Sequence, residues 1–101
     1  MSELRKALKE FSKERNWPKF HTPKNLSMAL SVEVAEIVEI FQWLDAEQSQ
    51  QLNQKQKSHL AQEVGDVMIY LTMLADKYDL DPIECAQQKM TINAIKYPVE
   101  S

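Results

Sequence analysis

The stretch LSVEVAEIVEIFQW, from Leu30 to Trp43, decides how the rest of this chain is interpreted. It is as apolar as a buried helix, yet Glu33, Glu36 and Glu39 recur in it at three-residue steps. At about 100° per residue, Glu33 falls within the apolar stripe of such a helix, Glu36 falls at its edge, and Glu39 falls nearer the polar flank. A carboxylate on an apolar face is costly unless it is protonated, paired with a cation or bound to a metal. The pattern therefore indicates a site rather than a solvated run of charges.

The composition predicts a single all-α domain over residues 1–101. The chain has one glycine and four prolines among its 101 residues, which disfavours hairpins and tight β-turns. A net charge of −3 argues against nucleic-acid binding, since such domains are normally basic. Cys85 is the single cysteine, so neither an internal disulfide nor a thiolate metal cluster is expected. The chain shows neither a secretory signal nor a membrane-spanning stretch, and we expect it in the cytoplasm without a membrane partner.

Apolar periodicity predicts four helices. They are expected at about Glu3–Arg15, from Pro23 or Asn25 to Leu44, at Gln54–Lys77 and from Pro82 to about Lys96. The stretch that follows Leu44 shows no apolar period and is expected to be a solvated loop leading into the third helix. We expect the second and third helices to fold back on each other as an antiparallel hairpin at the centre of the subunit.

The third helix carries a matching pair of acids, Glu63 and Asp66, which share one face because they lie three residues apart. Counted from the loop that joins the two helices, Glu36 is level with Glu63, and Glu33 is level with Asp66. An antiparallel hairpin would therefore bring four carboxylates together. Four negative charges in one place need cations.

Ligands that are all oxygen favour Mg²⁺, with Mn²⁺ as a possible substitute. A di-iron site would need Glu-x-x-His motifs, and neither His21 nor His59 stands at those positions. Because protein-bound Mg²⁺ commonly completes its coordination with water and phosphate oxygens, the acids indicate a phosphorylated ligand. Gly65, between the two acids of the third helix, indicates close approach of a backbone or a ligand, although a merely tolerated glycine fits equally well.

Four stretches in order carry a family resemblance. Glu33-x-x-Glu36, a gap of 26 residues and then Glu63-x-x-Asp66 resemble the signature of the MazG-like superfamily of all-α nucleotide pyrophosphohydrolases. The stretches RNWPKFHTPKNL, EVAEIVEIFQW, EVGDVMIYL and KMTINAIKYP resemble its dCTP-pyrophosphatase-like branch. The resemblance implies a four-helix subunit that assembles into dimers or tetramers and shares its pockets across subunits. It also implies Mg²⁺-dependent cleavage of nucleoside triphosphates, deoxynucleotides including dCTP among them, to monophosphate and pyrophosphate as nucleotide-pool housekeeping.

Site residues follow from matching positions in the resemblance. Glu33, Glu36, Glu63 and Asp66 match the metal ligands. Either Glu36 or Glu39 orients or deprotonates the attacking water, and Glu36 cannot easily be both ligand and base. The expected substrate-binding residues are Trp17, His21, Asn25, Trp43 and Tyr70 toward the base, and Lys89, Asn93, Lys96 and Tyr97 toward the phosphates. Core packing for Tyr70, and a helix-terminal cation for Lys96, fit the sequence equally well.

The remaining apolar residues predict packing and assembly. Phe11 and Phe41 are expected in the core. Ile69 and Met73 lie off the main apolar arc of the third helix, which predicts a subunit interface. Two rival functions stay open: a non-catalytic interaction module whose acids pair with a partner's cations, and a nucleotide- or metal-binding sensor without turnover. The four acids together with Lys89 and Asn93 favour the enzyme.

Overall fold

The computed structural model describes residues 2–99, which contain five α-helices, one 3₁₀ turn at Pro18–Phe20 and no strand. The all-α class is confirmed. The helices are α1 (Ser2–Glu14), α2 (Pro23–Phe41), α3 (Ala46–Ser49), α4 (Gln54–Asp76) and α5 (Pro82–Lys96).

The short helix α3 corrects the expectation of an unstructured loop after Leu44. Its N-cap is Asp45, whose carboxylate accepts a hydrogen bond from the Gln48 backbone N–H at 2.7 Å. In return the Asp45 backbone N–H donates to the Gln48 side chain at 3.0 Å. A reciprocal capping box of this kind holds one helical turn without any apolar face, so hydrophobic periodicity gives no sign of it.

The long helices α2 and α4 pack along each other and form the centre of the subunit. Helix α2 begins at Pro23, and the hydroxyl of its N-cap Thr22 accepts from the Asn25 backbone N–H at 3.1 Å. Helix α4 begins after a second capping box, between Asn53 and Gln56. These caps fix where each helix starts and therefore set which residues face each other across the pair.

Helix α1 packs against α4, and α5 makes few contacts with α4. Helix α1 is followed by a left-handed residue, Asn16 with φ 59°, and the Trp17 backbone N–H donates to the Ser12 carbonyl at 3.0 Å. This closure is of the Schellman type, and it turns the chain sharply toward the 3₁₀ turn. Among residues 2–99, no helix is both long and apolar enough to cross a membrane.

The single chain is open, and the expectation that Phe11 belongs to the core is wrong for it. Leu26 is the one apolar residue of the described range that is buried, whereas Phe11 is 44% exposed and Phe41 is half-buried. The accessible surface is 8082 Å², against about 5,900 Å² for a compact monomer of this mass. The radius of gyration is 16.7 Å, against about 13 Å for a compact chain of this length. Much apolar surface therefore stays uncovered in one copy.

No described residue comes close to Gly65. A Cβ added there meets nothing within 4 Å. Close approach by another described part of this chain is therefore excluded, whereas approach of a ligand or a second copy stays a prediction.

We therefore expect Gly65→Ala to stabilise the protein by about 0.5–1 kcal/mol, because alanine removes the conformational freedom of a helix-interior glycine without a clash. Urea unfolding followed by circular dichroism measures this change. A lower free energy of unfolding in the variant would show that another chain packs against Gly65 and would contradict the expectation.

Candidate functional site

Three carboxylates from the two central helices converge. Glu33 and Glu36 on α2 and Glu63 on α4 each offer an oxygen, and these oxygens lie within 4.8 Å of one another. Glu33 and Glu36 share a face because they are three residues apart on one helix. Glu63 is 7% exposed, which is rare for an ionisable side chain. We call these three residues the glutamate cluster.

The neighbours of each acid confirm the antiparallel hairpin. On α4, His59 acts electrostatically on Glu36, Asp66 acts on Glu33, and Glu63 lies between them and acts on both. The order along α4 is therefore the reverse of the order along α2. This is the register that the sequence predicts.

Two oxygens of the glutamate cluster have no partner. Glu33 Oε2 and Glu63 Oε2 are buried, and neither has a hydrogen-bond partner among the described residues. Two carboxylate oxygens can bond to each other only through a shared proton. The cluster therefore needs either a proton or a cation to be stable.

The charge conflict shows in the pKa values of the cluster. Burial, together with the nearby Glu63, Glu36 and Asp66, raises the pKa of Glu33 to about 7. The pKa of Glu36 is also raised, chiefly by the hydrogen bond with Glu63 and then by burial. Near neutral pH the cluster thus holds a proton that a divalent cation can displace.

Asp66 and Glu39 lie outside the glutamate cluster. Asp66 is close enough to Glu33 to raise its pKa, but it does not belong to the group of oxygens within 4.8 Å. Glu39 is exposed, one turn beyond Glu36 on α2. Their assigned roles as metal ligand and as candidate base stay predictions.

His59 is a neighbour of the cluster that sequence reasoning left aside. Its Nε2 lies 3.4 Å from Glu63 Oε1, and its side chain is 56% exposed. The i, i+4 spacing of His59 and Glu63 on α4 is the signal that could have found this pair.

A cavity of about 340 Å³ lies between α1 and α4 and brings two predicted base-binding residues together. Trp17 and Tyr70 both line it, and Asp66 lines it as well, so the cavity adjoins the acids. Its lining residues are Ala7, Leu8, Phe11, Ser12, Trp17, Asp66, Ile69, Tyr70 and Met73. We call it the aromatic cavity.

The lining of the aromatic cavity adds to one expectation. Within one chain Ile69 and Met73 face α1 and this cavity, and their role in a subunit interface stays a prediction. They lie off the main apolar arc of α4 because α1 covers a second side of that helix. The apolar stripe that stays exposed on α4 is Val64, Met68 and Leu71, at i, i+4 and i+7.

The structure places His21 in a neighbouring cavity of about 220 Å³, lined also by Arg5, Lys9, Ser12 and Asp76 among others. The His21 ring centroid is 5.6 Å from that of Trp17, and Trp17 is 5.3 Å from Phe11. Burial and then Lys77 lower the pKa of His21, so its imidazole is neutral at neutral pH.

Asn25 already has a structural contact. Its Nδ2 donates to the Phe20 carbonyl at 3.0 Å and so ties the 3₁₀ turn to the start of α2. A role in substrate binding would use the rest of its amide, and that role stays a prediction.

The other predicted substrate residues line neither of these cavities. Trp43 is 86% exposed, and Tyr97 is 68% exposed with the Lys96 ammonium 5.4 Å from its ring centre. Lys89 is exposed and Asn93 is half-buried, both on α5. Their roles in substrate binding stay predictions.

Known proteins with similar sequences belong to the family that the motifs resemble. A sequence model of the MazG-like family matches residues 28–101. The chain is 42% identical to dCTP pyrophosphatase 1 of Rattus norvegicus, over 98% of this chain and 59% of the rat protein. It is 39% identical to dCTP pyrophosphatase 1 of Homo sapiens, over 97% of this chain and 59% of the human protein. The chain therefore spans 59% of the length of these relatives.

A solved structure agrees with the sequence matches. The crystal structure of a pyrophosphatase from Archaeoglobus fulgidus superposes with a TM-score of 0.91 at 43% sequence identity. The match covers 98% of this chain and 93% of that one. The resemblance read from the four motifs is confirmed.

We expect the metal-free protein to lose stability as the pH rises from about 5 to about 7.5. Glu33 keeps its proton up to a pKa of about 7 in the folded state, against 4.5 ordinarily. Its contribution is therefore fully present below pH 4.5 and is lost as the pH rises through 7. Melting curves in chelator across this range measure the decline, and a divalent cation should reverse it at the upper end.

Glu33→Gln should remove most of that decline, whereas Glu39→Gln, an exposed acid of the same helix, should leave it in place. A melting temperature that is flat across the range, or an equal slope in both variants, would contradict this assignment.

Proposed function

Since this chain belongs to the MazG-like family, we propose that it is a nucleoside triphosphate pyrophosphohydrolase. Its substrates are deoxynucleoside triphosphates, dCTP among them, and its products are the nucleoside monophosphate and pyrophosphate. The names of the relatives support this: dCTP pyrophosphatase 1 in rat and man, and a pyrophosphatase in Archaeoglobus fulgidus. Removal of unwanted nucleotides from the pool is the role that suits such an activity.

The observation that carries the proposal is the glutamate cluster with its unpartnered oxygens. Glu33 Oε2 and Glu63 Oε2 are buried without a partner, which is the chemistry that a hard divalent cation satisfies. Glu33, Glu36 and Glu63 would hold Mg²⁺, or Mn²⁺ in its place, and Asp66 supplies a fourth carboxylate on the side of Glu33. When bound, the ion supplies charge neutralisation for the triphosphate and a lower pKa for water.

The two candidate bases now differ in their surroundings. Glu36 is engaged in the glutamate cluster, where its hydrogen bond with Glu63 raises its pKa. Glu39 is exposed one turn away and is left free to accept a proton from the attacking water. We favour Glu39 as the base and Glu36 as a ligand.

The aromatic cavity is the place for the nucleobase. Its volume of about 340 Å³ lies at the small end of the range for ligand pockets, about 300–1,000 Å³. Trp17 and Tyr70 offer faces on which a base can stack, and Asp66 connects the cavity to the acids. A base here would therefore place its triphosphate toward the glutamate cluster.

Assembly into a homodimer or homotetramer would complete the site. One copy exposes the apolar stripe Val64, Met68 and Leu71 on α4. Its surface exceeds that of a compact monomer by about 2,200 Å², which is enough for a stable interface. A second copy could cover the exposed side chains of Trp43, Lys89, Lys96 and Tyr97 and so enclose the substrate.

We expect the purified protein to convert dCTP to dCMP and pyrophosphate in the presence of Mg²⁺, and never to dCDP and orthophosphate. Glu63→Gln and Asp66→Asn should lower kcat/KM on the order of 100-fold or more, because each removes a negative oxygen from the ion's surroundings. Both should stay folded, since they relieve repulsion. Chromatography of the products from a panel of standard and base-modified nucleotides identifies the products, and their rate of formation gives kcat/KM for each variant.

Glu47→Gln, the same change at an exposed acid of α3, is the control and should behave as the unaltered protein. Diphosphate among the products, or full activity in Glu63→Gln, would contradict the proposal. A thermal shift with Mg²⁺ and a non-hydrolysable nucleotide, without any turnover, would instead identify a sensor.

Sedimentation velocity should show a dimer or a tetramer. Met68→Asp puts a charge in the middle of the exposed α4 stripe and should shift the protein toward monomer, because it buries an unpaired carboxylate in the interface. Gln62→Asp, at an exposed polar position of the same helix, should leave the assembly intact. A monomeric unaltered protein would refute assembly, and equal behaviour of the two variants would place the interface elsewhere.

A further inference from the structure

An ion-paired group far from the acids joins α1 to α4. Arg5 Nε donates to Asp76 Oδ1 at 2.8 Å, and its Nη2 donates to the same oxygen. The other carboxylate oxygen, Oδ2, lies 3.5 Å from Lys9 Nζ. Both oxygens of one α4 carboxylate are therefore engaged by cations of α1.

The pair is partly withdrawn from solvent. The Asp76 side chain is 18% exposed and that of Arg5 is 25% exposed. Burial alone would raise the pKa of Asp76, but Arg5 and Lys9 outweigh burial and lower it. The carboxylate is thus ionised at neutral pH, in surroundings where charge–charge attraction is screened less than at an open surface.

A second acid, Asp79, lies beside the same guanidinium but is far more exposed than Asp76. Asp79 Oδ1 lies 3.9 Å from Arg5 Nη2, and its side chain is fully exposed. Exposed pairs at such distances contribute little. Asp76, not Asp79, is therefore the acid that can hold α1 in place.

Helix α1 supplies one wall of the aromatic cavity, from Ala7 to Ser12. Phe11 lies on α1, and Trp17 follows the turn that the end of the helix closes. The facing wall comes from α4, with Asp66 and Tyr70. Asp76 lies ten residues beyond Asp66, about 15 Å along the helix, and does not line the cavity. Since it does not touch the cavity, the route that its ion pairs offer is to fix the position of α1 against α4.

The other contacts of α1 with α4 restrain its register weakly. The Ser12 hydroxyl donates to Met73 Sδ at 3.7 Å, a soft contact to a flexible side chain. Apolar packing between the helices is non-directional and tolerates small shifts. The two hydrogen bonds from the Arg5 guanidinium to one carboxylate oxygen are directional, so a small shift of α1 along α4 weakens them.

We propose that Asp76 is a positioning residue for nucleotide recognition: its pairing with Arg5 and Lys9 holds α1 in the register that forms the aromatic cavity. The proposal rests on the proposed function for the identity of the ligand. It adds a residue that touches neither the base nor the metal and that acts on affinity rather than on chemistry.

The kinetic test compares Asp76→Asn with Asp79→Asn, the same change at two acids beside the same arginine. Asp76→Asn should raise KM for dCTP about tenfold with kcat within about twofold, the pattern expected when binding but not the reaction step is impaired. Asp79→Asn should leave both unchanged. Asp76→Glu, which keeps the charge, should restore most of the affinity.

A second measurement needs no turnover. The chain has two tryptophans, so a Trp43→Phe background leaves Trp17 as the single reporter. Acrylamide should quench Trp17 fluorescence more strongly once Asp76→Asn is added, because a displaced α1 opens the cavity. If the unaltered protein does not hydrolyse nucleotides, the proposed function fails, yet this readout still decides the role of Asp76.

Arg5→Gln removes the same ion pair by a change on α1, and it replaces Asp76→Asn in both measurements if that variant does not fold. The proposal is overturned if the variants at Asp76 and Arg5 match Asp79→Asn in both KM and quenching. It is also overturned if kcat falls while KM and quenching stay unchanged.

Discussion

Glu33, Glu36 and Glu63 repel one another across the α2–α4 pair, and the rest of the molecule depends on how that repulsion is balanced. One oxygen of each lies within 4.8 Å of the others, and two carboxylate oxygens of the cluster are buried without a hydrogen-bond partner. A proton serves this purpose in the metal-free protein, which is why the pKa of Glu33 rises to about 7. A divalent ion balances more charge and leaves coordination positions for phosphate oxygens, so one electrostatic conflict connects the stability of the hairpin with the proposed chemistry.

The sequence was sufficient for the hairpin because two strong regularities agree. The three-residue spacing of the acids fixes a face, and the distance of each acid from the connecting loop fixes the register. It was not sufficient for α3, because a capping box between Asp45 and Gln48 holds a helical turn without an apolar face. It did not show that α1 lies against Ile69 and Met73, because helical periodicity within α4 carries no information about α1.

The open shape of the subunit explains why some predicted site residues stay scattered. Phe11 was assigned to the core from its apolar character, but one copy does not close over it, and it lines a cavity instead. Trp43 and Lys89 are exposed in one copy as well, whereas Asn93 is half-buried. Trp17, Tyr70 and Asp66, by contrast, meet within one chain because α1 folds back on α4. The proposed recognition of the base thus depends on a helix that few of the described polar contacts hold in place.

The central claim is that the glutamate cluster is a site for a divalent cation, and anomalous scattering tests it most directly. Crystals soaked with Mn²⁺ should give a strong anomalous peak within bonding distance of oxygens from Glu33, Glu36 and Glu63, at about 2.0–2.2 Å. The oxygens Glu33 Oε2 and Glu63 Oε2, which have no hydrogen-bond partner in the metal-free protein, should then contact the metal ion. An empty cluster whose carboxylates pair through a shared proton at saturating Mn²⁺, with manganese bound to other acids, would contradict the account.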